Sequence, residues 1–245
     1  MRLLPCDVVA RAAPVTHQAA QLEVELAQRL ATAQCPVGSL DPRVEARVHE
    51  RDGFTVTLWT YYEQTTGQEV SPADYATALA RLHAGMRTVD VTVPHFTDRV
   101  AEAEELVASR DRAPSLSDAE RDLLARALRV RSQWIAEHDR VEQLLHGEPH
   151  PGNLLSTDRG PLFIDLETCC RGPVELDLAH VPAAVCELYP DLDRALLDEC
   201  RGLVLAMVAA WRWDVEDQLP NGPRAARELL SAVRKGPPWP TLDAV

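Results

Sequence analysis

Hydrophobic and polar positions divide the chain into an early part with short periods and a later part with helical ones. The apolar run Val8–Ala12, stopped by Pro14, reads as a short strand. From Gln18 to Ala33, Leu22, Leu26 and Leu30 recur at helical spacing. Arg43–His49 alternates Val44, Ala46 and Val48 and reads as a strand. Asp52-Gly53 is a hairpin signal, and Phe54–Tyr62 is the partner strand. The polar stretch Gln64–Glu69, containing Gly67, is the natural connection between this sheet-and-helix part and the helical remainder. Ser71-Pro72 supplies an N-cap and a first-turn proline for a helix running through Leu79, Leu82 and His83 to about Met86. Further helices are predicted near Asp98–Ser109 and Ser117–His138. Asn153–Ser156 and Pro161–Asp165 read as a short hairpin through Asp158-Arg159-Gly160. The remainder, Glu175–Val233, is mostly helical, with breaks at Pro190 and Pro220. No internal repeat is visible.

Between the second block of helices and that short hairpin lies the most informative stretch, His146-Gly147-Glu148-Pro149-His150-Pro151-Gly152-Asn153, followed by Phe163-Ile164-Asp165. Asn153 stands five positions after Glu148, and Asp165 twelve after Asn153. The catalytic acid and metal-binding Asn of kinase catalytic loops have the first of these offsets. The chemistry explains the residue types. One carboxylate orients or deprotonates an attacking hydroxyl, and a hard Mg²⁺ ion takes oxygen ligands from an Asn, an Asp and phosphates. Glu167, two positions after Asp165, would share its face if the strand continued, and reads either as a second contact to metal or as a surface residue.

His-Gly-Glu-Pro-His-Pro-Gly-Asn-Leu-Leu, Leu-Phe-Ile-Asp-Leu-Glu and Gly172 through Asp177-Leu178-Ala179 together resemble the aminoglycoside phosphotransferase / choline kinase family. These are small-molecule kinases with a protein-kinase-like fold. The resemblance implies an α+β, two-lobe architecture. Residues 1–63 would form a reduced N-lobe of sheet plus helix on the nucleotide side, and residues 64–245 a mostly helical C-lobe. It implies ATP and Mg²⁺ as cofactors and a hydroxylated small molecule, such as an aminoglycoside or other antibiotic, as acceptor. Glu148 would be the catalytic carboxylate, and Asn153 and Asp165 the metal ligands. His146 and Asp177 would brace the loop. Arg11, backed by Glu23 on the following helix, stands where the family has a phosphate-contacting Lys. The chain from Trp59 to Glu63, with Tyr61 and Tyr62, would meet adenine. Substrate would sit among the helices after Asp177 and near His95–Arg112.

Three departures from the family pattern support an alternative, a catalytically inactive kinase-like binding protein. Glu148 replaces the family's Asp and reaches about 1.5 Å further, and a shift of that size can cost about 100-fold in rate. Arg11 is a planar fork where Lys is a point charge. No Gly precedes Arg11, so the Gly-rich hairpin that covers phosphates in kinase-like folds is missing from this stretch. Either the chain starts late or it handles ATP without that lid.

Composition narrows the class without changing it. At 245 residues, with 46% hydrophobic and 26% charged content, the chain is an ordinary globular protein. The net charge of −13 argues against nucleic acid as partner and is compatible with a cationic substrate or simple solubility. No apolar run has membrane-span length, and the N-terminal stretch lacks the apolar core of a signal peptide. Six dispersed cysteines without a C-x-x-C pair read as reduced thiols in a cytoplasmic protein, with Cys169-Cys170 either oxidation-sensitive or packed beside a strand. The H-x-E of zinc deaminases lacks its P-C-x-x-C partner here, and no Walker A, G-x-G-x-x-G, G-x-S-x-G or H-E-x-x-H motif is present.

Overall fold

The computed structural model describes residues 1–15, 19–64 and 69–244. The chain separates into two compact units. One gathers Met1–Val93, Gln143–Cys170 and Glu187–Pro190; the other gathers Pro94–Glu142, Arg171–Cys186 and Asp191–Val245.

The first unit is built on a four-stranded antiparallel sheet. Its strands are β1 (Arg2–Leu3), β2 (Val8–Pro14), β3 (His49–Arg51) and β4 (Phe54–Thr60), in the order β1-β2-β4-β3. The register of β2 on β4 sets Val8 opposite Thr60 and Arg11 opposite Thr57. Helix α1 (Ala19–Thr32) buries Glu23, Val24, Leu26, Ala27 and Leu30. Asp52 and Gly53 both take positive φ, 52° and 81°, the requirement of a two-residue turn whose twist matches its strands.

The expected strand Arg43–His49 does not form, and β3 begins only at His49. Asp41 captures that segment instead. Its carboxylate accepts the Arg43 backbone amide at 2.9 Å and holds the Arg43 guanidinium, a local turn that competes with strand pairing. Val44 is accordingly exposed, so the alternation marked no buried face. The partner strand β4 also ends at Thr60, short of the expected Tyr62. Most of the expected connection, residues 65–68, lies outside the described residues, as does Gln18 before α1.

Helix α2 (Pro72–Met86) begins where the sequence predicts, with the Ser71 side chain accepting the Asp74 amide. It packs on β5 (Gln143–Leu145) and on the hairpin of β6 (Leu154–Thr157) and β7 (Gly160–Phe163). Strand β7 stops at Phe163 rather than reaching Asp165. Asp165 takes φ +69°, a left-handed conformation that ends an extended run, so the alternation argument for Glu167 does not apply.

The second unit is helical. It comprises α3 (Phe96–Ala108), α4 (Asp118–Glu137), α5 (Val174–Leu178), α6 (Ala183–Cys186), α7 (Arg194–Arg212) and α8 (Gly222–Lys235). Reciprocal capping boxes start α3 at His95/Asp98 and α4 at Ser117/Glu120. The apolar α7 packs against α3, α4, α5 and α8 and forms the centre of this unit. No helix among the described residues is long and apolar enough to cross a membrane.

Candidate active site

Buried strand β5 delivers the chain into His146-Gly147-Glu148, a loop closed by its own hydrogen bonds. His146 is completely buried, and its Nε2 donates to the Ile164 carbonyl at 3.0 Å. Its Nδ1 accepts the Glu148 amide at 3.4 Å, so these partners assign the neutral ring with the proton on Nε2. Gly147 has φ +90°, and a Cβ there would lie 2.0 Å from the Thr168 carbonyl oxygen, so only glycine fits. The Glu148 carbonyl accepts Asn153 Nδ2 at 3.0 Å and the His150 amide at 2.8 Å. His150 Nδ1 accepts the Gly152 amide at 3.0 Å and so caps the 3₁₀ turn Pro151–Asn153. The Asn153 carbonyl accepts the Ile164 amide at 3.0 Å, which fastens the loop to the segment carrying Asp165. The Glu148 side chain itself is half-buried.

A second cluster forms around Arg11 on β2. One guanidinium nitrogen pairs with Glu23 of α1. The other lies 3.0 Å from Asp165 Oδ1 and 3.4 Å from Glu167 Oε2. The Arg11–Glu23 pairing thus forms as expected, while the reach of Arg11 to Asp165 and Glu167 has no counterpart in the sequence pattern. Glu23 is only 4% exposed and also accepts the Leu166 amide at 3.3 Å. Burial pushes its carboxyl up from 4.5 to about 7, with Arg11 opposing and the charges of Asp165 and Glu167 adding to the rise. Burial alone would lower the Arg11 guanidinium, but its three carboxylate neighbours outweigh this and raise it.

Beside the Arg11 cluster opens a cavity of about 350 Å³. It is lined by the apolar Val9, Leu155 and Ile164, by the edge Trp59–Tyr62, and by the charged Arg11, Glu23 and Asp165. Gly38 matters here because a Cβ would come within 3.1 Å of Ile164 Cγ2. Tyr61 and Tyr62 both line the cavity. The Tyr61 ring carries the Arg2 guanidinium at 3.8 Å, and the Tyr62 hydroxyl accepts the Ser39 amide at 3.1 Å. The Thr60 and Tyr61 amides are engaged by Ser39 and Asp7 carbonyls. The hairpin from β1 to β2 pairs Arg2 with Val9 and Leu3 with Val8, and its connection contains no glycine.

The donor set suits a hard cation shared with phosphates. Among the described residues no group of three or more His, Cys, Asp or Glu could cage a metal alone. Mg²⁺ asks for less: one or two protein oxygens, with waters and phosphates completing the octahedron. Because the Asn153 amide nitrogen is committed to the loop, the group it can offer is its oxygen.

Two features escaped the sequence reading. The cavity-lining role of Val9, Leu155 and Ile164 is one; Leu155 and Ile164 lie inside the quoted motifs, but any apolar residue fits such a wall, so nothing marked them as lining. Tyr75 on α2 donates its hydroxyl to the Pro149 carbonyl, and nothing in its helical period distinguishes it from a core residue. Asp177 lies fully buried on α5, within the helical unit.

A small antiparallel sheet with one helix, a rigid loop bearing a carboxylate and an amide, and a mostly helical remainder define a mixed α+β fold of the kinase-like aminoglycoside kinase type. Residues 7–203 match the model of the Phosphotransferase enzyme family, and the chain belongs to that family. Among solved structures, an amicoumacin kinase in complex with AMP-PNP, Ca²⁺ and Ami aligns with a TM-score of 0.74 at 11% identity, covering 97% of this chain and 85% of that one. Aminoglycoside 2′-phosphotransferase-IIIa, in its GDP complex, aligns with a TM-score of 0.65 at 15% identity over 94% and 88%. A choline/ethanolamine kinase family protein from Mesorhizobium loti gives 0.65 at 16% identity over 98% and 85%. At these identities the likeness speaks for the fold. No curated protein matches the chain significantly.

Proposed function

We propose that this protein transfers the γ-phosphoryl group of ATP to a hydroxyl of a small molecule, with Mg²⁺ as cofactor. The observation that carries this reading is the meeting of Arg11, Glu23 and Asp165 in the lining of a mainly apolar cavity, joined through Ile164 to the loop that bears Glu148. A volume of about 350 Å³ is in the range of small-molecule sites. The base would lie between Val9 and Ile164, against the backbone of residues 59–63 with Tyr61 and Tyr62, and the phosphates would point toward Arg11.

Glu148 accepts the proton of the acceptor hydroxyl as that oxygen bonds to phosphorus, and ADP departs with the electrons of the broken bond. Asn153 and Asp165 would hold Mg²⁺, which when bound would neutralise charge on the phosphates. Arg11, positioned by Glu23, steadies the nucleotide. His146 keeps the Glu148 amide in place. The acceptor's identity is open among aminoglycosides, other antibiotics, amino alcohols and sugars; the net charge of −13 favours a cation. The six cysteines are free thiols, which suits a reducing compartment, and we place the enzyme in the cytoplasm.

A second reading, an inactive binding protein, gains from the structure one feature beyond the three sequence departures: Arg11 already occupies Asp165 and Glu167. An ADP-release assay over amino sugars, amino alcohols and nucleosides separates the two. The enzyme reading expects turnover by wild type and its near loss in Glu148→Gln, with ATP binding kept. Inactive wild type together with active Glu148→Asp would overturn it in favour of the binding protein. Undiminished turnover in Glu148→Gln would remove Glu148 from the mechanism.

A further inference from the structure

We infer that Tyr75 is a positioning residue for the catalytic loop, fixing Glu148 relative to Asp165 from outside the loop. This rests on the phosphotransferase reading of the site. Tyr75 is 4% exposed on α2, well away in sequence from the motif. Its hydroxyl donates to the carbonyl of Pro149, the residue directly after Glu148, in a buried hydrogen bond. Its ring packs at 5.9 Å and 55° against Phe163, which is fully buried and stands two positions before Asp165. The same Phe163 ring also meets His146, at 5.7 Å and 60°. Three aromatic rings therefore join the two arms of the site.

The partners of the loop give Tyr75 a distinct task. On one side, the Glu148 amide is held by His146, two residues away. On the other, the Glu148 carbonyl is held by His150 and Asn153, also within the loop. These bonds fix the internal shape of the loop. The hydroxyl of Tyr75 ties that shape to a long helix of the core. A buried carbonyl that loses its donor must find another or move. The loop, still fastened through Ile164, would then lose its tie to α2, and a displacement on the order of 1 Å at a reacting group lowers turnover steeply. Glu148, with its extra methylene, makes the placement of the loop backbone all the more exacting.

The experiment uses Tyr75→Phe, which removes the hydroxyl and keeps the ring on Phe163. Hydrogen–deuterium exchange on the full chain should show the amides of His150, Gly152 and Asn153 exchanging about 10-fold faster, with those of β2 and β4 unchanged. In ATP turnover, with water as acceptor if no better one is known, kcat should fall about 10-fold or more while KM for Mg·ATP stays within about 2-fold. In the Glu148→Gln background the same substitution should leave the residual rate unaltered, because the group it positions is gone. Equal acceleration of exchange in β2 and β4 would show a general packing role and overturn the inference. So would a loss of rate that is the same with and without Glu148. Should Tyr75→Phe fail to fold, Phe163→Leu, which keeps the hydroxyl and removes the ring contact, takes its place. Local loosening of residues 148–153 supports the linkage, and an unchanged loop refutes it. Calorimetry with Mg²⁺ and AMP-PNP on wild type keeps the two ideas apart. Absence of binding would sink the phosphotransferase reading, whereas the exchange data judge the Tyr75 tether by themselves.

Discussion

Glu23 offers the sharpest test of the charge balance at this site. It is a carboxyl at 4% exposure beside one guanidinium and two further carboxylates. Burial raises it from 4.5 to about 7 despite Arg11. Between those values the folded chain holds a proton that the unfolded chain has released, so stability falls as pH rises across this window. The contribution is complete below pH 4.5 and is lost as pH passes about 7. At about 1.4 kcal/mol per pH unit, the change between pH 5 and pH 8 comes to about 2–3 kcal/mol, a large part of a domain's total stability. Glu23→Gln keeps the shape and mimics the protonated form. Urea unfolding of both proteins across that range should show wild type losing about 2–3 kcal/mol relative to the variant as pH rises, because all other titrating groups are common to both. Parallel curves would mean that Glu23 is not raised. A wild type that gains on the variant with rising pH would mean that pairing with Arg11 outweighs desolvation, and the reasoning would be refuted.

Single contacts carry two other expectations. Asp165→Ala should abolish the Mg²⁺ dependence of nucleotide binding, because the neutral Asn153 oxygen is the weaker ligand; calorimetry with and without Mg²⁺ checks it, and equal dependence in both proteins counts against the metal assignment. Gly147→Ala forces a Cβ into the Thr168 carbonyl at φ +90° and should cost at least about 1–3 kcal/mol in denaturant unfolding, an unchanged midpoint arguing that the loop is held differently.

The elements that sequence pattern located well were those whose local chemistry and burial agree. Helix α2 begins at Ser71-Pro72 because a cap and a proline coincide with an apolar period, and the β3–β4 turn sits at Asp52-Gly53 because both residues tolerate positive φ. Pattern failed at Arg43–His49 for the opposite reason. Its alternation was real, but no apolar surface covers Val44, and the Asp41 side chain offered the backbone a competing set of bonds. Strand β7 ended early because Asp165 adopts a left-handed conformation, which a period of two residues cannot register. Departure from extended geometry thus occurs at the residue expected to hold metal.

At the site, spacing revealed the groups within a few residues of the loop and little that comes from elsewhere. The contact of Tyr75 with Pro149 spans 74 positions, and that of Arg11 with Asp165 spans 154. The latter also gives physical content to an arginine standing where the family has lysine. A lysine carries its charge on one nitrogen. The guanidinium of Arg11 carries two terminal nitrogens, one committed to Glu23 and the other shared between Asp165 and Glu167. Three carboxylates around one fixed positive charge leave an excess of negative charge in a partly dry pocket. Protonation of Glu23 relieves some of that excess, and a divalent cation on Asp165 would relieve more. The fork would let Arg11 remain anchored to Glu23 while its second nitrogen released Asp165 to a bound cation, so under the proposed function the arginine would divide the two tasks between two nitrogens.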